Sequence, residues 1–339
     1  LLADHPWFET VVVAASPRSA GKKYSEAVAG RWKLEEAMPA NIGAMTVNST
    51  DDLDEWIDKV DFVFCAVDMK KDEIKALEER IARLETPVVS NNSANRWTDD
   101  VPVVIPEINA DHMAIIEVQK KRLGTKRGFI AAKPNCSIQS YVPALSPLRK
   151  FGIKQISVCT YQAISGAGKT FQDWPEMVNN LIPYIGGEEE KSEREPTRIW
   201  GELVDGKIEL AQEPVISAQC YRVAVQEGHT AAVSVKFENK PSKDEMIKLW
   251  SEFEGLPQQA KLPSAPVPFL TYFEEDNRPQ PALDAMNGKG MGVTIGRLRE
   301  DSIFDYKFVC LSHNTLRGAA GGAVLTAELL VHQGYISKK

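Results

Sequence analysis

Short runs of Val, Ile and small apolar residues alternate with amphipathic stretches through the first half of the chain. Residues 11–15, 62–67, 87–90 and 103–106 read as strands, and residues 71–84 as a helix following the second of them. Nearly continuous β-branched runs separated by helices predict a parallel sheet covered on both faces, an α/β arrangement of doubly wound type. Beyond about residue 134 the texture changes. Residues 156–162, 215–222, 230–236 and 306–311 form longer runs, and 230–236 alternates apolar with polar, as a sheet with one half-open face does. A second, mixed α+β unit with antiparallel strands is predicted there. A small-residue-rich helix over 315–331 closes the chain.

Leu1 to Pro6 reads as the last turn of a helix. The strand and glycine-rich turn that open a dinucleotide-binding unit are therefore expected to lie outside this sequence. The composition, 43% hydrophobic and 26% charged over 339 residues, is that of a globular protein with room for two domains. A net charge of -7 with no basic stripe argues against a nucleic-acid surface; Lys120-Lys121-Arg122, the densest basic run, reads as a solvated helix end. No apolar segment approaches the ~18 residues of a membrane span. The five cysteines are widely spaced, without a C-x-x-C pair. That pattern predicts neither a disulfide scaffold nor a metal site, with Cys65, Cys159 and Cys310 in the core, and points to a reducing, cytoplasmic setting.

Candidate chemistry gathers in a few places. Pro134 and Asn135 break a strand just before Cys136, which places a thiol at a loop-to-helix turn where backbone N–H groups favour thiolate. His229 lies far downstream, as the base partner of a nucleophile usually does. Arg222 is suited to gripping a carboxylate and Gln162 ends a strand. The loop from Ser16 to Lys23, with Arg18, Ser19 and Lys22, suits a 2′-phosphate and hence NADP, although an ordinary polar loop has the same composition. The segment 163–170 matches a P-loop except that Ala163 replaces the first glycine. Pro175 follows where that motif needs a helix, so Ser165 and Gly166 read as a small-residue cradle close to a ligand.

Taken jointly, Arg18 to Lys22, Ser90-Asn91-Asn92-Ser93, Pro134-Asn135-Cys136-Ser137, Gln162 to Gly168, Ile182 to Glu189, Cys220-x-Arg222, Gly228-His229-Thr230 and Ser312 to Gly321 resemble the aspartate-β-semialdehyde dehydrogenase family, in its archaeal and fungal branch. The resemblance runs over essentially the whole chain. It implies a Rossmann-type NADP domain over 1–133, completed by a C-terminal helix over 314–333. A catalytic and dimerisation domain of glyceraldehyde-3-phosphate-dehydrogenase type is implied over 134–313. By the same resemblance Cys136 is the nucleophile, His229 takes a proton as hydride leaves, and Gln162 orients the substrate. Arg222 and Glu189 hold the substrate's carboxylate and amino group, while Arg96, Asn135 and Lys191 surround the phosphate. Ser16, Arg18, Ser19, Lys22, Ser165, Gly166 and Asn314 contact NADP. The implied reaction interconverts β-aspartyl phosphate and aspartate-β-semialdehyde through a cysteine thioester, toward lysine, threonine and methionine. The implied partners are these small molecules, inorganic phosphate and further copies of the chain, as a homodimer or homotetramer. Two other readings share the scaffold: a malonyl-CoA reductase, and a non-catalytic oligomerisation or regulatory protein.

Overall fold

The computed structural model describes residues 1–34 and 36–339. In the first half the Val/Ile runs form β1 (Val13–Ala15), β2 (Val47–Ser49), β3 (Val63–Cys65), β4 (Val88–Ser90) and β5 (Ile130–Ala132), and every pairing among them is parallel. The helix Lys71–Arg83 connects β3 to β4, and Ile116–Leu123 lies between β4 and β5. Residues 103–106, read as a strand, instead make a single parallel bridge from Val103 to Ala132. Pro102 and Pro106 bracket the segment, and proline removes ladder donors.

The parallel strands fall into two ladders, β1–β2 and β3–β4–β5. A slot of about 570 Å³ runs between their facing edges, lined by Val11 to Ala14 on one side and Asp61 to Phe64 on the other. The C-terminal helix Gly321–His332 returns to this half, packing Leu325 and Leu329 with Val89, Phe129 and Ala131.

The second half is a seven-stranded mixed sheet. It contains β6 (Ile153–Gln162) and β7 (Leu181–Ile182), then, after a small hairpin of β8 (Glu202–Val204) and β9 (Lys207–Glu209), β10 (Val215–Val223) and β11 (His229–Phe237). The sheet is completed by β12 (Leu270–Phe273), β13 (Val293–Glu300) and β14 (Tyr306–Ser312), in the order β12-β13-β14-β11-β6-β10-β7. One face of the long central strands is buried beneath the helices Ile138–Leu145, Glu188–Ile199 and Lys243–Ser251. The other alternates to half-exposed residues, among them Cys159, which the sequence placed in the core. No helix among the described residues is long and apolar enough to cross a membrane.

Side-chain alternation on β6, β10 and β11 fixes which residues meet. Gln162 is in register with Arg222, both at the last turns of adjacent parallel strands, and His229 opens the neighbouring antiparallel strand. All three therefore point to the buried face at one end of the sheet. That end meets the loop leaving β5, which carries Cys136.

Candidate active site

Cys136 lies in the turn between β5 and the helix Ile138–Leu145, its Sγ 3.5 Å from His229 Nε2. Asn135 makes the turn. Its Oδ1 accepts from both the backbone N–H and the hydroxyl of Ser137, each at 2.7 Å. The backbone N–H of Ala163 donates to His229 Nδ1 at 3.1 Å, which leaves the neutral ring's proton on Nε2, facing the sulfur. Burial lowers the His229 pKa to about 3, with the neighbouring Arg222 charge acting the same way.

The neutral ring has a consequence for stability. His112 and His313 are also held below their ordinary value, chiefly by burial. The unfolded chain therefore binds more protons than the folded one once pH drops below about 6.5, so stability is lost on acidification from there toward pH 3. The unfolding midpoint is expected to fall between pH 7 and pH 5, and His229→Gln should flatten that slope. An unchanged slope in the variant would mean that His229 is protonated in the folded state.

Around the thiol the helix Glu188–Ile199 decides the polar contacts. Residues 188, 192, 195 and 199 share its buried face, and Glu188 projects into the site. It accepts from Asn135 Nδ2 at 3.0 Å, Gln162 Nε2 at 3.3 Å and Lys191 Nζ at 2.7 Å. The sequence assigned the substrate contact to Glu189. That carboxylate instead accepts from the backbone N–H of Cys220 at 3.3 Å, one residue round the helix. Arg222 is buried and donates through Nη1 to the Ala163 carbonyl at 2.6 Å; it has no other protein acceptor among the described residues.

Arg96, expected near the phosphate, makes structural contacts here. Its Nε donates to the Lys133 carbonyl and its Nη1 to Glu195, both at 2.9 Å, while Glu195 accepts from the Asn135 N–H at 2.6 Å. The Arg96–Glu195 pair thus clamps both sides of the turn that presents Cys136. Lys133 had no sequence motif to reveal it. Glu188 did: its i, i+4, i+7 relation to Ser192 and Glu195 is the period of a buried helix face.

The cofactor candidates divide in the same way. Ser16, Arg18 and Ser19 line a cleft of about 470 Å³ at the C-terminal ends of β1 and β3, together with Arg31 and Trp32. Lys22 is exposed beside it and does not line it. Residues 163–170 contain a short 3-10 turn, Ile164–Ala167, with no α-helix directly after Thr170, so the P-loop resemblance ends there. A Cβ on Gly166 would come within 2.8 Å of Arg222 Nη1 and 2.9 Å of His229 Cε1, so only glycine lets this turn approach the site. Asn314 braces it, accepting from the Gly228 N–H and donating to Ser165 Oγ, both at 2.8 Å. Ser165 in turn donates to Glu227 at 2.8 Å.

Comparison with known proteins gives consistent matches. Residues 1–116 match the model described as semialdehyde dehydrogenase, NAD binding domain, and residues 145–317 match semialdehyde dehydrogenase, dimerisation domain. The chain is 42% identical over 333 residues to an aspartate-semialdehyde dehydrogenase of Methanothermobacter thermautotrophicus, covering 97% of this chain and 93% of the relative. It is 38% identical over 349 residues to the Saccharomyces cerevisiae protein of the same name, covering 99% and 93%. A crystal structure of aspartate semialdehyde dehydrogenase with NADP from Candida albicans superposes with a TM-score of 0.88 at 36% identity, covering 99% of this chain and 94% of that one.

Proposed function

The chain belongs to the aspartate-semialdehyde dehydrogenase family, and from that membership and the geometry of the site we propose Cys136 as the nucleophile, His229 as the donor to the reacting oxygen, and Gln162, Arg222 and Glu188 as the residues that orient the substrate. The protein is an NADP-dependent enzyme of amino-acid biosynthesis that interconverts aspartate-β-semialdehyde and β-aspartyl phosphate. The observation that carries the assignment of roles is the contact of 3.5 Å between Cys136 Sγ and His229 Nε2, at the end of the sheet where Gln162 and Arg222 converge.

The residues present fit NADP. The Ser16–Ser19 cleft offers Arg18 and Arg31 to a 2′-phosphate, and Gly166 leaves room beside His229 that any side chain would fill. When bound, the nicotinamide takes or returns the hydride. The chain does the rest. Cys136 thiolate forms the C–S bond to the aldehyde carbon, and the carbonyl electron pair moves to oxygen, where the Nε2–H of His229 donates to it. With its proton on Nε2 the ring stabilises that oxyanion by a hydrogen bond, and hydride leaves from the oxyanion carbon to give the thioester. Phosphate oxygen then attacks the thioester carbon, the C–S bond breaks, and the thiolate leaves.

Arg222 has guanidinium N–H groups left for the substrate α-carboxylate, and the buried Glu188 carboxylate suits the α-ammonium. Malonyl-CoA has no ammonium to meet Glu188, and a non-catalytic protein has no use for the thiol–imidazole contact. Neither alternative is retained. Arg222→Leu is expected to raise the KM for aspartate-β-semialdehyde about 10- to 100-fold, the worth of one charged hydrogen-bonding group, while NADP affinity stays unchanged. Equal KM values would remove Arg222 from the substrate site.

The matched segments 1–116 and 145–317 support a dinucleotide-binding unit of residues 1–133 with 314–333 and a catalytic unit of 134–313 as our reading. The half-open sheet face, where Tyr161 stacks on Tyr221 at 6.0 Å and Val215 is exposed, suits a homodimer. The reading is tested by NADPH formation from aspartate-β-semialdehyde and NADP⁺. Phosphate-dependent formation is expected; none from folded, NADP-binding protein would overturn it.

A further inference from the structure

Lys133, three residues before the thiol, is used by none of the chemistry above, yet it is only 2% exposed. A buried ammonium needs partners for its charge and its three donors. On the protein it has one acceptor, the Pro134 carbonyl at 3.0 Å, and no carboxylate within ion-pair distance among the described residues. The acidic groups nearby are already committed: Glu195 to Arg96 and the Asn135 N–H, and Glu107 to Arg317.

The C-terminal segment shows where Lys133 runs. A Cβ on Gly318 would come within 2.8 Å of Cys136 Cβ, and one on Gly322 within 2.8 Å of Lys133 Cε. Residues four apart share a helix face about one turn, ~5.4 Å, apart. The lysine stem and the thiol-bearing Cβ therefore lie side by side on that face, and the bond to Pro134 O holds the ammonium against the backbone leading to Cys136.

We propose that Lys133 supplies the positive charge that balances the Cys136 thiolate, acting as a positioning residue that keeps the nucleophile ionised. This rests on the reading of Cys136 as nucleophile. The need for such a charge is visible in the surroundings. Burial and the Glu188 carboxylate push the Cys136 thiol up, with Lys133, Arg96 and Arg222 opposing them. Burial brings Lys133 itself down to about 7, and the thiolate is the first group opposing that fall. His229 offers a hydrogen bond from a neutral ring and adds no charge. Arg96 is neutralised by Glu195, and Arg222 faces Glu188. The other charged group acting on Lys133 is Arg317 from the C-terminal segment, which lowers its pKa further.

The test is the pH dependence of iodoacetamide alkylation at Cys136, resolved by peptide mass spectrometry, in wild type, Lys133→Met, Lys133→Gln and Lys133→Arg. It reads the thiolate directly and needs no turnover, so it stands apart from the substrate assignment. Both uncharged variants are expected to move the alkylation midpoint up by about one unit or more, a roughly tenfold slower reaction at pH 7. Arginine should lie nearer wild type. A wild-type midpoint in Gln would overturn the proposal even if Met shifted, because Gln keeps a donor for Pro134 and loses only the charge. Should Met fail to fold, the Gln profile decides alone.

Discussion

Cys136→Ser is expected to lower turnover of aspartate-β-semialdehyde by about 10⁴-fold or more, with NADP binding and the unfolding midpoint near those of the parent protein. Serine differs from cysteine by one atom and fits the same turn, which Asn135, Ser137 and the Arg96–Glu195 clamp hold by contacts that do not involve the sulfur. What changes is the chemistry. A hydroxyl is far more weakly acidic than a thiol, and His229, its Nδ1 occupied by the Ala163 N–H and its pKa lowered to about 3, is a poor base to activate it. An oxygen ester is also a poorer acyl donor to phosphate than a thioester. Both halves of the reaction therefore suffer, and NADPH formation, with and without phosphate, reads the loss. Activity within tenfold of the parent would mean that the thiol is not the group attacked.

The second large effect is structural. Arg317 and Glu107 form an ion pair in which both side chains are 0% exposed, one branch donating at 2.9 Å. Arg317 also donates through Nε to the Met291 carbonyl at 2.8 Å and lies over the Phe269 ring. Arg317→Met would leave the Glu107 carboxylate buried without a counter-charge, a loss of about 3–5 kcal/mol in such cases. A marked fall in the urea midpoint is expected. The double variant Arg317→Met, Glu107→Leu should recover most of it, since replacing both partners by apolar groups removes the uncompensated charge. A double variant no better than the single would assign the loss to the carbonyl and ring contacts instead. Activity should fall with stability, because Arg317 lies in the turn whose Gly318 abuts Cys136.

The contrast between Glu188 and Glu189 shows how far local pattern reaches. Three glutamates in a row announce a solvated helix start, and successive residues on a helix point about 100° apart. The family resemblance points to this segment, but the phase of the helix against the sheet decides that Glu188 faces the site. Arg96 makes the same point from the other side. Its charge suits a phosphate, and only the fold shows that Glu195 and the Lys133 carbonyl also meet it and tie it to the nucleophile's turn. Residues 103–106 have the composition of a strand, and two prolines leave them a single bridge.

The α/β first half, the mixed second half and the cysteine at its turn are legible along the chain, because they follow from short-range rules: side-chain period, proline breaks and the chemistry of single residues. Tertiary structure decided which polar groups meet. Glu107 and Arg317 are 210 positions apart, and Cys136 and His229 are 93 apart. Such pairs carry no mutual pattern along the chain; strand register, helix phase and the close approach allowed by Gly166, Gly318 and Gly322 bring their atoms within bonding distance.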